Sequence, residues 1–177
     1  ELIVVDHQYR TNISNIFAVG DVTGFPALAS TSMEQGRIAV AHIFQTQDLE
    51  HLPTYFPYGI YTIPEVSTIG LTTEEAEEKK ILYSIGKAYY ANMPRGKIMG
   101  AKTGMLKLLF HKDTLQILGV HIIGRIATEI IHYGVILVED KKTLHHVISQ
   151  VFNCPTLHDL YKDAAYDGLV QVTPKFK

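Results

Sequence analysis

The sequence is poor in cysteine, in long apolar runs and in charge of one sign, and each shortage removes a class of protein. Its one cysteine, Cys154, rules out an internal disulfide and points to a reducing, cytoplasmic setting. No apolar run is longer than Val135-Ile136-Leu137-Val138, which stops at Glu139, far short of a bilayer span. We therefore expect no membrane attachment. A net charge of −2 leaves no basic footprint for nucleic acid. No G-x-G-x-x-G follows a strand, and no C-x-x-C or C-x₄-C pair exists. Nine histidines are present, but His145 and His146 are neighbours that point apart on a predicted helix, and none shows the HxxxH ligand spacing. No metal is expected. Nor does a methionine or a signal peptide open the chain: Glu1 leads straight into Leu2-Ile3-Val4-Val5, which reads as a cut inside a longer protein.

What is present falls into two segments. Over residues 1–45 the pattern predicts strands at 2–5 and 16–19, a Gly/Pro loop at Gly24-Phe25-Pro26, and a helix over 29–44 with Met33, Ile38, Ala41 and Ile43 among its apolar positions. Two strands and a helix bury too little surface to fold alone, so this segment reads as the tail of a domain. Residues 46–57 read as a linker. From residue 58 to 177 the pattern is self-sufficient. We expect a strand over 58–69, a helix to Lys80 opened by a Thr72/Glu75 capping box, and a strand over 83–93 with a loop at Pro94-Arg95-Gly96. A hairpin over 104–111 and 116–123 follows, then helices over 125–139, 143–151 and 155–167, the last stopping near Gly168. The apolar circumference of the first of these helices suits a core or an interface. This order predicts an α+β domain, an antiparallel sheet covered by helices.

Two places carry candidate chemistry. In Ile16-Phe17-Ala18-Val19-Gly20-Asp21 an acid follows a strand-ending glycine, either an ordinary strand-to-turn junction or a carboxylate at a ligand-binding sheet edge. Pro26-Ala27-Leu28-Ala29 then enters a helix whose first turn holds Ser30, Thr31 and Ser32. Small residues there leave N–H groups accessible at a terminus carrying about half a positive charge, which suits an anion or a ring that becomes negative on reduction. Near the other end stands Cys154-Pro155-Thr156-Leu157-His158-Asp159. Cys154 and His158 could form a nucleophilic pair, but a lone cysteine just outside a helix is more often inert. Thr156 and Asp159 read as a capping box.

The run over residues 17–39 (FAVGDVTGFPALASTSMEQGRIA) resembles the second flavin-binding motif of the pyridine nucleotide–disulfide oxidoreductases. Tyr61-Thr62-Ile63-Pro64-Glu65-Val66 looks like the opening of their interface domain, and the hairpin with the Glu129-Ile130-Ile131 helix follows the same pattern. The resemblance implies the tail of an FAD-binding α/β domain followed by an interface domain that pairs two identical subunits. It implies FAD in the whole protein and NAD(P) as substrate, with Gly20 allowing close approach to the cofactor, Asp21 at the ribityl chain, and Ala27, Leu28 and Ala29 at the flavin pyrimidine edge. Neither cofactor nor activity is expected of the fragment alone. Thiol-handling members such as dihydrolipoamide dehydrogenase carry a histidine at the position of Cys154 and a glutamate at that of Asp159. A thiol cannot replace imidazole as a base near neutrality. The resemblance therefore points to the branch that exchanges hydride between NADPH and NAD through flavin. A thiol reductase fragment and a free-standing dimerisation module are the alternatives.

Overall fold

The computed structural model describes residues 1–46 and 51–173. The chain divides into two compact units, Glu1–Thr54 and Tyr55–Lys177. The linker expected over 46–57 has its residues 47–50 outside the described ones.

The first unit is built around helix α1 (Ala29–Phe44), which buries Thr31, Gln35, Ile38, Ala39 and Ala41 on one side. Met33 and Ile43, expected among its apolar positions, are exposed. Neither expected strand forms. The second contributes one bridge, Arg10 with Phe17, and the first is held by Ile3 N–H donating to the Val22 carbonyl at 2.9 Å. Strand propensity without a neighbouring strand to complete a ladder leaves such runs irregular.

In the second unit the sheet comprises β1 (Tyr58–Ile60), β2 (Val66–Gly70), β3 (Tyr83–Tyr89), β4 (Met105–His111) and β5 (Ile117–Ile123), in the spatial order β1-β2-β5-β4-β3. All pairs are antiparallel. The single strand expected over 58–69 is thus two strands, registered Tyr58 to Thr68 and Ile60 to Val66. Pro64 has no N–H for a ladder, and the Thr62 hydroxyl donates to its carbonyl at 2.7 Å within the turn. Helix α2 (Thr73–Glu78) carries the expected capping box: Glu75 N–H donates to Thr72 Oγ1 at 3.2 Å, and Thr72 N–H to Glu75 Oε2 at 2.8 Å. The predicted strand over 83–93 ends four residues early, at Tyr89, in a 3₁₀ turn over Tyr90–Asn92. The predicted loop at Pro94 is instead the short helix α3 (Pro94–Ile98), because a proline suits the first helical position, where an N–H has no intrahelical acceptor.

Helices α4 (Ala127–Glu139), α5 (Leu144–Ser149) and α6 (Asp159–Val172) complete the unit. The core lies where Leu106, Leu108, Phe110, Val120 and Ile122 of the sheet meet Ile130, Ile131 and Leu137 of α4 and Leu160, Tyr161 and Ala164 of α6. Helix α6 starts four residues later than expected and runs through Gly168. That glycine is there for space: a Cβ on it would lie 2.7 Å from the Phe110 ring. The Thr156/Asp159 capping box does not form either. His158 occupies the N-cap, and the Thr156 hydroxyl is buried without a hydrogen-bond partner.

His121 gives this unit a pH dependence. Its Nε2 lies 3.0 Å from the Leu71 carbonyl, which can only accept, so Nε2 carries the hydrogen and the neutral ring's Nδ1 accepts from the Thr68 hydroxyl at 2.6 Å. Burial, reinforced by the Lys107 ammonium, holds the imidazole below the ordinary histidine value near 6.5, against the opposing pull of the Leu71 carbonyl and of Glu74 and Glu75. The unfolded chain therefore takes up the proton first as pH falls below about 6.5. Stability contributed by the neutral ring is present above that pH and is lost on acidification. Urea midpoints measured from pH 7.5 to 5 should fall, and His121→Gln should flatten the slope; an unchanged slope in the variant would assign the effect elsewhere.

Candidate functional site

Every residue expected at a ligand in the first unit lies at the loop that leads into α1. Gly20 takes φ 82° and ψ −159°, backbone that glycine adopts most readily, and starts the 3₁₀ turn over Asp21–Thr23. The Gly20 carbonyl accepts from Thr23 N–H at 2.9 Å and from the Thr23 hydroxyl at 2.8 Å. Its N–H donates to Gln35 Oε1 at 2.6 Å. Asp21 is exposed, and its carboxylate makes no hydrogen bond or ion pair among the described residues. It is free to accept from hydroxyls.

The start of α1 is open in a complementary way. Leu28 is its N-cap in extended conformation and supplies no side-chain cap. The hydroxyls of the first turn point back into the loop. Thr31 Oγ1 donates to the Pro26 carbonyl at 3.2 Å and the Leu28 carbonyl at 2.9 Å, and Ser32 Oγ to Leu28 at 2.8 Å. They secure the loop's carbonyls and leave the amides of Ala29, Ser30 and Thr31 without a side-chain acceptor among the described residues. Ala27 and Ala29 are exposed and Leu28 half-buried, so no bulky group plugs the entrance. An elongated ligand with hydroxyls at one end and an electron-rich ring at the other fits this pair of features.

The C-terminal candidates are arranged differently. Cys154 is a free, exposed thiol in the segment between α5 and α6, and Asp159 is the first residue of α6. No hydrogen bond joins Cys154 to His158. The His158 ring instead stacks on Tyr161 at 6.2 Å and lies against Phe152 and Tyr133. Burial, with Asp159 nearby, raises the Asp163 carboxyl above the ordinary range. Among the described residues no group of three or more histidine, cysteine or acidic side chains could hold a metal, and no helix is long and apolar enough to cross a membrane. An open groove lined by Tyr83, Ser84, Lys87, Lys112, Asp167 and Gln171 borders β3 and contains none of the expected site residues.

Two side chains that anchor these loops and helix starts escaped the sequence reading. Gln35 follows buried Thr31 by four positions and precedes buried Ile38 by three, a spacing that marks the inner face of α1. Glu65 caps α4 from outside the helix: its Oε2 accepts from the Thr128 hydroxyl at 2.8 Å and from Thr128 N–H at 3.1 Å, which lowers its carboxyl pKa. No local pattern announces a cap from 63 residues away.

Residues 56–165 match the family profile of the pyridine nucleotide-disulphide oxidoreductase dimerisation domain. Residues 1–36 match the pyridine nucleotide-disulphide oxidoreductase profile itself. The chain belongs to that family. It is 46% identical over 170 residues to the soluble pyridine nucleotide transhydrogenase of Azotobacter vinelandii, covering 94% of this chain and 36% of the relative. It is 44% identical over 171 residues to the enzyme of that name from Serratia proteamaculans, covering 95% and 37%. The chain thus spans little more than a third of these relatives. Among solved structures it superposes on the HOCl-induced flavoprotein disulfide reductase RclA from Escherichia coli with a TM-score of 0.85 at 24% identity, over 93% of this chain and 38% of that one. The corresponding TM-score for LpdA from Mycobacterium tuberculosis is 0.81 at 23% identity, over 93% and 36%. These two likenesses concern the fold.

Proposed function

We propose that this chain is the C-terminal dimerisation region, with one edge of the flavin site, of an enzyme that transfers hydride between NADPH and NAD⁺ through FAD. In this reading residues 1–45 are the tail of the FAD-binding domain, 46–57 the linker and 58–177 the interface domain. The observation that carries it is the Asp21 carboxylate, exposed and without a hydrogen bond among the described residues, ahead of a 16-residue helix with no side-chain cap. Exposed Leu2, Val4 and Phe44, at 63%, 85% and 72%, suit a unit whose remaining domain lies elsewhere in the protein.

When bound, FAD supplies the group that accepts hydride from one nicotinamide and passes it to the other. The residues that would hold it are Gly20, Asp21, Ala27, Leu28 and Ala29. The Asp21 carboxylate would accept hydrogen bonds from the ribityl hydroxyls. The amides and partial positive charge at the start of α1 would stabilise negative charge on the pyrimidine edge. Cys154 and Asp159 stand where thiol reductases of the family keep their base and its orienting acid, and no proton shuttle is needed for hydride exchange between nicotinamides. The chain alone is inactive in this reading. Its partner is an identical subunit: Val151, Tyr166 and Val170, at 94%, 51% and 69% exposure, offer apolar surface for a second copy. The setting is cytoplasmic.

The test is a two-substrate assay of the whole protein. We expect flavin-dependent reduction of a thionicotinamide analogue of NAD⁺ by NADPH, with no reduction of lipoamide. Lipoamide turnover without hydride exchange would overturn the reading in favour of a thiol reductase. Light scattering of this chain at tens of micromolar should give a dimer; a monomer alone would contradict the assigned interface.

A further inference from the structure

Gln35 is 3% exposed, and apart from tyrosines the polar side chains buried to the same degree among the described residues are Thr31 and Ser67. Thr31 and Gln35 lie one turn apart on the inner face of α1, and both are engaged by the site loop. Thr31 holds the Pro26 and Leu28 carbonyls that lead into the helix. Gln35 reaches across 15 positions of sequence to take the Gly20 N–H at 2.6 Å. A buried amide satisfied in this way is directional, because displacing the turn strands the donor and the acceptor together.

The peptide group before Gly20 is therefore fixed from one side, and the next, which joins Gly20 to Asp21, from the other. Gln35 holds the Gly20 N–H, and Thr23 holds the Gly20 carbonyl through its N–H and hydroxyl. Between them Gly20 has φ 82°, and a Cβ there would lie 3.3 Å from Ser32 Oγ, so the turn is drawn close against the first turn of α1. Asp21 follows directly. We propose that Gln35 is a positioning residue for the flavin site: its buried amide sets the separation of the Asp21 carboxylate from the start of α1, so that both meet a single ligand. The role rests on the flavin reading above. Gln35 itself touches no cofactor.

The test uses the whole protein stripped of FAD, with Gln35→Leu to remove the acceptor and Gln35→Glu to keep an oxygen in its place. Gln35→Met, which keeps the length and offers only a weakly accepting thioether, replaces the leucine variant if that does not fold. Two quantities are read: the FAD dissociation constant by flavin fluorescence, and hydrogen exchange at the Gly20 amide in the apoprotein. Removing the acceptor should raise the dissociation constant about tenfold and speed Gly20 exchange by a similar factor. Gln35→Glu should stay within about threefold of wild type in both. Apolar variants matching wild type in both measurements would overturn the role and leave the flavin reading intact. Equal impairment of the apolar and glutamate variants would overturn it too, since the acceptor would then be irrelevant. A wild-type apoprotein that takes up no FAD removes the flavin reading and this role with it.

Discussion

Gly86→Val is expected to lower the stability of the sheet-and-helix unit by about 3 kcal/mol or more, beyond the usual overpacking range of about 1–3. Gly86 sits in the middle of β3, where α6 crosses the sheet. A Cβ on it would lie 2.0 Å from the Ala164 carbonyl oxygen and 2.8 Å from the Gly168 nitrogen. Both are backbone atoms of α6, so no rotamer change relieves the clash and the helix must lift. Lifting it withdraws Leu160, Tyr161 and Ala164 from the core and breaks the bond from Lys87 N–H to Asp167 Oδ2, 2.8 Å long, which covers the edge of β3. The strand propensity of valine returns at most about 1 kcal/mol. Urea unfolding followed by circular dichroism measures the loss. Lys87→Val, one residue along, has an exposed side chain and should change stability by no more than about 0.5 kcal/mol. Equal midpoints for the two variants would show that α6 does not seat on Gly86.

The parts of this fold that could be read from sequence are those whose cause is local. The Thr72/Glu75 box declares both of its hydrogen bonds within four residues, and the β4–β5 hairpin has a short connection between two apolar runs. What escaped was set by distant partners. Gly168 reads as a helix stop, yet its lack of a side chain admits Phe110 from 58 positions earlier, and the helix continues to Val172. Residues 2–5 and 16–19 have strand composition but no ladder to join. At the site the sequence pointed to Gly20, Asp21 and 27–29, because a carboxylate after a glycine and small residues at a helix start have chemistry of their own. Gln35 was passed over because an isolated glutamine on a helix has none until the turn it holds is seen.

Tyr161 is such a case, and its removal should be felt in two separable steps. The ring is fully buried and meets the Tyr133 ring edge-on at 5.0 Å. Its hydroxyl accepts from Gly134 N–H at 3.1 Å and donates to the Ile130 carbonyl at 2.8 Å, two groups one turn apart in α4. Burial drives the phenol far above its ordinary pKa, so the donating hydrogen is kept throughout the pH range of a folded protein. Gly134 admits the contact, since a Cβ there would lie 2.9 Å from that oxygen. Tyr161→Phe keeps the ring and deletes the hydroxyl, leaving both α4 groups without their cross-helix partner, at a cost of about 1–3 kcal/mol. Tyr161→Ala adds the lost ring and its cavity, and the total should reach about 3–5 kcal/mol, as for other buried aromatics. Chemical denaturation of the three proteins separates the two contributions. Equal losses for phenylalanine and alanine would assign the whole contact to the hydroxyl. A phenylalanine variant as stable as wild type would mean that the helix's own pairing of Gly134 N–H with the Ile130 carbonyl, four residues apart, satisfies both groups without the hydroxyl, and that α4 and α6 are joined by apolar packing alone.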